Sequence, residues 1–147
     1  MKKTNLNKLL ARARAVRERA YAPYSNYQVG AAVLGVSGKI YAGCNVENAS
    51  FGLTVCAERN AIFKAVSEGE REFVAIGVVT ANGGSPCGAC RQVIFEFMSP
   101  ETPVAIGDAN LENIQHFTVG ELLPYGFSPR KLREGQSGQH YRKTTKK

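Results

Sequence analysis

Apolar residues recur every three or four positions near the start of the chain. Leu6, Leu9, Leu10, Ala13, Val16 and Ala20 share one side, and arginines fill the other. That spacing predicts an amphipathic helix over residues 4–20, capped by Thr4 or Asn5 and stopped at Ala22-Pro23. Over 27–36 the period changes to two. Val29, Ala31 and Val33 alternate with Gln28, Gly30 and Ala32, which predicts a strand. Ser37-Gly38 reads as a turn, and 39–46 as the returning strand of a hairpin. Residues 48–54 are loop-like. Helical spacing resumes from about Val55 through Ala57, Ala61, Ile62, Ala65 and Val66, and Gly69 closes it. Residues 73–80 are apolar almost throughout, as in a strand covered on both faces. A loop at 81–86, a helix from about Gly88 to Met98, and short strands at 104–106 and 116–119 complete the pattern. A hairpin followed by strand–helix alternation predicts an α/β layered sheet with helices on its faces.

Length and composition narrow the classes. The 147 residues make about one domain, and 44% hydrophobic with 21% charged residues excludes a mostly disordered chain. The longest apolar runs, such as 74–79, are far shorter than the roughly 18 residues of a membrane span. The net charge of +7 sits at the ends. Residues 1–20 and 128–147 each hold seven basic groups against one acidic, whereas the stretch between holds five against ten. The body is therefore acidic, and nucleic acid is not its expected partner. The last twenty residues contain one leucine and no valine or isoleucine, so 1–127 is the expected domain and 128–147 a basic, flexible, solvated tail. Arginines interrupt the apolar core that a signal peptide would need at the N-terminus. An Arg-rich, acid-poor start also fits a mitochondrial transit peptide, but the predicted helix reads as part of the fold, so a cytoplasmic protein is expected. In a reducing compartment the four cysteines are expected to bind metal or react rather than pair.

Three of them stand out. Cys87 and Cys90 lie in Pro86-Cys87-Gly88-Ala89-Cys90, and Cys56 lies in Cys56-Ala57-Glu58, each group at a predicted helix start. Taken alone, Cys-x-x-Cys is a redox pair, half of a zinc site, or chance. The redox reading leaves Cys56-Ala57-Glu58 unexplained. Residues i and i+2 of a helix point to different sides, so Cys56 and Glu58 can share a site only off the helix N-terminus. Two converging N-termini would offset the net negative charge of three thiolates around Zn²⁺. Arg59 and Arg91 are placed to add charge-assisted hydrogen bonds to the sulfurs. Three protein ligands leave a fourth position open, the arrangement of a catalytic zinc, and Glu58 is a carboxylate suited to moving protons beside it.

Cys56-Ala57-Glu58-Arg59 with Pro86-Cys87-Gly88-Ala89-Cys90-Arg91-Gln92 resembles the zinc-dependent cytidine deaminases. The likeness extends to Tyr24-Ser25-Asn26-Tyr27-Gln28-Val29-Gly30-Ala31-Ala32, to Asn45-Val46-Glu47-Asn48-Ala49-Ser50, and to Leu122-Leu123-Pro124-Tyr125-Gly126-Phe127, in that family's order. The resemblance implies a three-layer α/β/α fold with a mixed five-stranded sheet. It also implies one zinc per subunit on Cys56, Cys87 and Cys90, with Glu58 shuttling protons. Asn45 and Glu47 would hold the ribose 3′-hydroxyl, the Ala57 amide the base carbonyl, the Ser85 carbonyl the leaving amine, and Tyr27 the face of the base. Phe127 would close a neighbouring subunit's pocket in a homotetramer whose active sites lie at subunit interfaces. The implied reaction turns cytidine or deoxycytidine and water into the uracil nucleoside and ammonia, within pyrimidine salvage. Tyr27 stands where phenylalanine is usual, and Phe51 where tyrosine is common.

Other readings weigh against these. The enzyme alternative is a deaminase of a related aminopyrimidine nucleoside such as blasticidin S, or of cytosine in RNA. A zinc-stabilised RNA-binding module is the alternative of another class. Cys44 reads as a small buried strand residue, or as the fourth ligand of a closed structural zinc. Glu47 alone would be an exposed carboxylate at a strand end, Arg59 a surface arginine, and Phe127 core. His116 and His140 are not expected to bind metal.

Overall fold

The computed structural model describes residues 3–144, with side chains over 5–136. The chain folds as α1 (Lys3–Arg17), β1 (Gly30–Gly35), β2 (Ile40–Cys44), α2 (Ala57–Ser67), β3 (Phe73–Val79), α3 (Gly88–Phe97), β4 (Pro103–Gly107), β5 (Ile114–Thr118), α4 (Val119–Leu122) and α5 (Pro129–Thr144). A single 3₁₀ turn covers Phe51–Leu53. The strands form one sheet in the order β2-β1-β3-β4-β5. Only β3 and β4 run parallel, joined through α3 as a crossover; the other neighbours are antiparallel. This is the expected mixed five-stranded sheet.

The pleat sends alternate side chains to opposite faces, and each face has its own core. On one side Leu6, Leu9, Leu10 and Ala13 of α1 pack on Ala32, Ala75, Val79 and Ala105. On the other, Ala57, Ala61, Ile62 and Ala65 of α2 and Ile94 of α3 pack on Ala31, Val33, Ile76, Val78, Val104 and Ile106. Three layers result. Small residues let the layers close up: a Cβ on Gly43 would stand 2.5 Å from the Ala61 amide nitrogen, so α2 can seat its first turn against β2 only because that position is glycine. Among the described residues, no helix is long and apolar enough to cross a membrane.

Several element boundaries differ from the periodicity, each for a local reason. The first helix ends at Arg17, and residues 18–20 continue as a turn with Arg19 and Ala20 donating to the Val16 and Arg17 carbonyls. The strand expected from residue 27 begins at Gly30. Asn26 takes a positive φ, and the side-chain amide of Asn45 replaces the ladder over 27–29. Val119, expected in the last strand, opens α4 because Thr118 and Glu121 form a reciprocal capping box there. The expected tail is helical over Pro129–Thr144, although its described side chains from Arg130 to Gln136 are exposed as a solvated segment requires. Helix-forming Arg, Lys, Leu and Glu, with Glu134 paired to Arg130 and Lys131 one turn back, support its first two turns although their side chains are exposed. The first helix begins at Lys3, so Thr4 and Asn5 lie inside it instead of capping it; His140 lies outside the described side chains.

Candidate active site

Both central helices begin at a cysteine. Cys56 is the residue capping α2 and Cys87 the residue capping α3, each extended, and neither uses its side chain to cap. Their sulfurs are therefore free to face forward, off the helix ends, where the unpaired first-turn N–H groups favour negative charge. Cys90 enters from the first turn of α3 and is fully buried. The three Sγ atoms lie within 4.8 Å of one another, and Cys56 Sγ stands 3.9 Å from Cys87 Sγ. Tetrahedral zinc with bonds of about 2.3 Å needs sulfurs roughly 3.8 Å apart, so the spacing fits one ion. Among the described residues this is the group able to hold a metal, and His116 is not in it. Cys44 is not in it either. Along β2 it shares a face with Ile40 and Ala42, which pack on the α1 side, so the pleat turns it away from the layer that carries the triad.

The surroundings suit thiolates. Arg59 Nη2 donates to Cys56 Sγ at 3.4 Å, while Arg59 Nε is buried with no hydrogen-bond partner. An unpaired cationic N–H beside a sulfur cluster fits a centre whose charge is completed by a metal and its ligands. The Cys56 thiol is pulled down to about 5 by the hydrogen bond from Cys90 and then by Arg59, against burial. Cys90 is pushed up by the same pairing, by burial and by the Glu58 carboxylate. Arg59 is raised in turn, chiefly by Cys56. The parallel expectation for Arg91 does not hold. Its Nε and Nη1 donate to the Pro86 and Leu122 carbonyls at 2.8 Å, and Nη2 to Ser85 Oγ at 2.9 Å. Backbone carbonyls that no ladder satisfies capture this guanidinium before the sulfurs can.

Glu58, on the first turn of α2, is 4% exposed, and Cys90 Sγ donates to its Oε2 at 3.6 Å. Burial holds its carboxyl above the ordinary range. It looks into a cleft of about 280 Å³ whose walls include Tyr27, Asn45, Glu47, Cys56, Ser85 and Cys87. The structure thus brings together most residues that the sequence singled out from four separate segments. Ala57 is buried at the first position of α2. Phe127 is not among the cleft walls; its side chain is 59% exposed, and its carbonyl accepts from Gln92 Nε2.

Asn45 and Glu47 carry structural duties that the sequence did not show. Asn45 Oδ1 accepts from the Val29 amide and Nδ2 donates to the Tyr27 carbonyl, both at 2.8 Å. One N–H and one lone pair remain for a ligand. Glu47 Oε1 accepts from the Tyr24 and Ser25 amides at 2.9 and 3.1 Å. Ser25, ahead of Tyr24, holds this carboxyl below its usual range. Phe51 packs edge-on against Tyr24 beside Glu47. Thr80, Asn82 and Gly84, which shape the far wall, were not expected. Their signal was a polar Thr80 ending an apolar strand, followed by Asn82-Gly83.

Comparison with known proteins agrees with this geometry. Residues 3–106 match the family described as the cytidine and deoxycytidylate deaminase zinc-binding region. The chain is 50% identical over 131 residues to a cytidine deaminase of Sporosarcina psychrophila, covering 87% of this chain and 95% of that one. It is 51% identical over 129 residues to one of Halalkalibacterium halodurans, covering 86% and 96%. The crystal structure of cytidine deaminase from Burkholderia pseudomallei superposes with a TM-score of 0.79 at 45% identity, over 86% of this chain and 100% of that one. A thiol triad at two helix starts, a buried glutamate beside it and these likenesses agree: the chain belongs to the zinc-binding cytidine and deoxycytidylate deaminase family.

Proposed function

We propose that this protein hydrolyses the amino group of cytidine and deoxycytidine, releasing ammonia and the uracil nucleoside, with Glu58 as proton carrier. The observation that carries this is a buried carboxylate hydrogen-bonded to one thiol of a three-sulfur cluster at the floor of an open cleft. Cys56, Cys87 and Cys90 would hold zinc. Bound there, the ion supplies the Lewis acidity that makes water nucleophilic at neutral pH. Glu58 accepts a proton as water adds to C4 and passes it to N3; it then takes the proton of the new C4 hydroxyl and delivers it to the amine, so that the C4–N bond breaks as the C4 carbonyl forms. The Ala57 amide holds the base carbonyl, the Ser85 carbonyl receives the departing amine, and Tyr27 covers the base. Ammonia release from cytidine by the zinc-loaded protein tests the reading; a loaded, folded protein that releases none would overturn it.

Asn45 and Glu47 bind the sugar hydroxyl with the polar capacity that their backbone bonds leave over. Glu47→Ala is expected to lower kcat/KM for cytidine at least about tenfold more than for free cytosine, because only the nucleoside loses a partner. Comparable losses on the two compounds would assign Glu47 to holding Tyr24 and Ser25 alone.

Arg59 keeps the thiolates charged and the metal bound. Arg59→Gln is expected to weaken zinc retention about 10–100-fold in competition with a chelator, the usual range for a group that supports metal ligands. Unchanged retention would leave the guanidinium a packing role.

The active assembly is a homotetramer in which Phe127 reaches a neighbour's cleft, and its exposed position outside its own cleft supports this. Pyrimidine salvage in the cytoplasm is the corresponding role. The segment after Phe127 is dispensable for turnover. A chain ending at residue 129 is expected to keep cytidine turnover and oligomer size; inactive monomers would place α5 in the subunit interface.

A further inference from the structure

The loop between β3 and α3 forms one wall of the cleft and carries both Ser85 and Cys87. An isolated bridge from Asn82 to Asp108 and the Arg91 bonds to Pro86 and Ser85 anchor it, and further polar contacts shape the turn between them. Thr80 Oγ1 accepts from the Gly84 amide at 2.7 Å. Asn82 Oδ1 accepts from the Tyr27 hydroxyl at 2.7 Å and, more weakly, from Thr80 Oγ1 at 3.5 Å. Tyr27 lies just ahead of β1, whose first residue Gly30 pairs with Val79 at the end of β3, so its bond to Asn82 joins two adjoining segments at one end of the sheet.

The same hydroxyl also lies against Gly84. A Cβ there would meet Tyr27 Oη at 2.4 Å, whereas the next ring atom, Cζ, is 3.6 Å away and Asn82 Oδ1 3.5 Å. The hydroxyl oxygen is the atom that a side chain at residue 84 would have to displace. Asn82 and Gly84 flank the turn at Gly83, whose φ is positive, and Ser85 follows directly. One phenolic oxygen thus makes two separate contacts with the segment that places Ser85.

We propose that Tyr27 is a positioning residue: its hydroxyl, acting through Asn82 and Gly84, sets the Ser85 backbone against the departing amine. This rests on the deaminase reading above. A phenylalanine would present the same ring to the base while releasing the loop from the segment ahead of β1. The consequence falls on turnover rather than on affinity, because the amine leaves only after the nucleoside is held.

The test is steady-state kinetics on cytidine with zinc-loaded proteins. Tyr27→Phe is expected to lower kcat about fivefold, the worth of one neutral hydrogen bond, with KM within about twofold and zinc content unchanged. Asn82→Ala is expected to cost about fivefold alone and less than about twofold in the Tyr27→Phe background. Gly84→Ala provides the second cycle. It is expected to lower kcat about tenfold or more alone, and no more than about twofold once Tyr27→Phe removes the oxygen. A loop contact that served only stability would shift melting and KM without this split and without rescue. Additive losses in the first cycle, or an equal cost of Gly84→Ala in both backgrounds, would overturn the proposal; if Asn82→Ala fails to fold, the Gly84 cycle decides. Absence of cytidine turnover in the zinc-loaded wild type would defeat the deaminase reading itself, whereas additivity in an active enzyme defeats only the role of Tyr27.

Discussion

Glu58→Gln is expected to leave a folded, zinc-loaded protein whose kcat has fallen about 10³–10⁴-fold, at the upper end of what one proton-transferring group contributes. The substitution keeps shape and volume, which matters because the side chain is 4% exposed on the first turn of α2. A glutamine amide fills the same buried space beside Cys90, so the packing survives. What disappears is basicity. An amide cannot take the proton of attacking water or carry it to N3. Nucleoside binding is expected to persist, measurable as a dissociation constant with the inactive variant. A variant retaining more than about a tenth of wild-type kcat would mean that another group moves the protons.

Cys87→Ala is expected to abolish zinc binding and activity together, while Cys44→Ala leaves both intact. Cys87 is the most exposed of the triad, so its loss is tolerated by the fold better than loss of the buried Cys90. Two thiolates and an open cleft hold zinc far less tightly than three, and structural thiolate sites typically bind with about 10–16 kcal/mol at neutral pH. Cys44 controls for thiol loss as such, since the pleat directs it to the α1 side of the sheet. Metal analysis after dialysis reads the difference directly. Zinc lost with Cys44, or retained in full without Cys87, would overturn the ligand assignment.

The chemistry was more legible in the sequence than its support. A metal dictates ligand type and close spacing, and a helix start dictates where those ligands stand, so Cys56, Glu58, Cys87 and Cys90 could be picked out directly. The layered sheet was legible from period alone, because each buried face repeats every two or every three to four residues. Asn45 was legible as a candidate but its clasp was not: its backbone partners lie 16 and 18 residues away, and no local pattern encodes them. Arg91 was misplaced for a related reason. Its neighbour in sequence is a metal ligand, but its reach is decided by unpaired carbonyls at Pro86 and Leu122. The helix after Phe127 escaped because its sequence shows no hydrophobic period, and its described side chains from Arg130 to Gln136 are exposed.

That guanidinium also fixes how the molecule yields. Arg91 ties the carbonyl just before Cys87 to the end of α4, thirty-one residues further along, and grips Ser85 as well. Fraying of α4 and loosening of the metal-bearing loop are therefore expected to be coupled, with similar opening free energies read by hydrogen exchange on both sides. The tie runs both ways, so a ligand in the cleft is expected to raise amide protection at the C-terminal turn as well as in the loop.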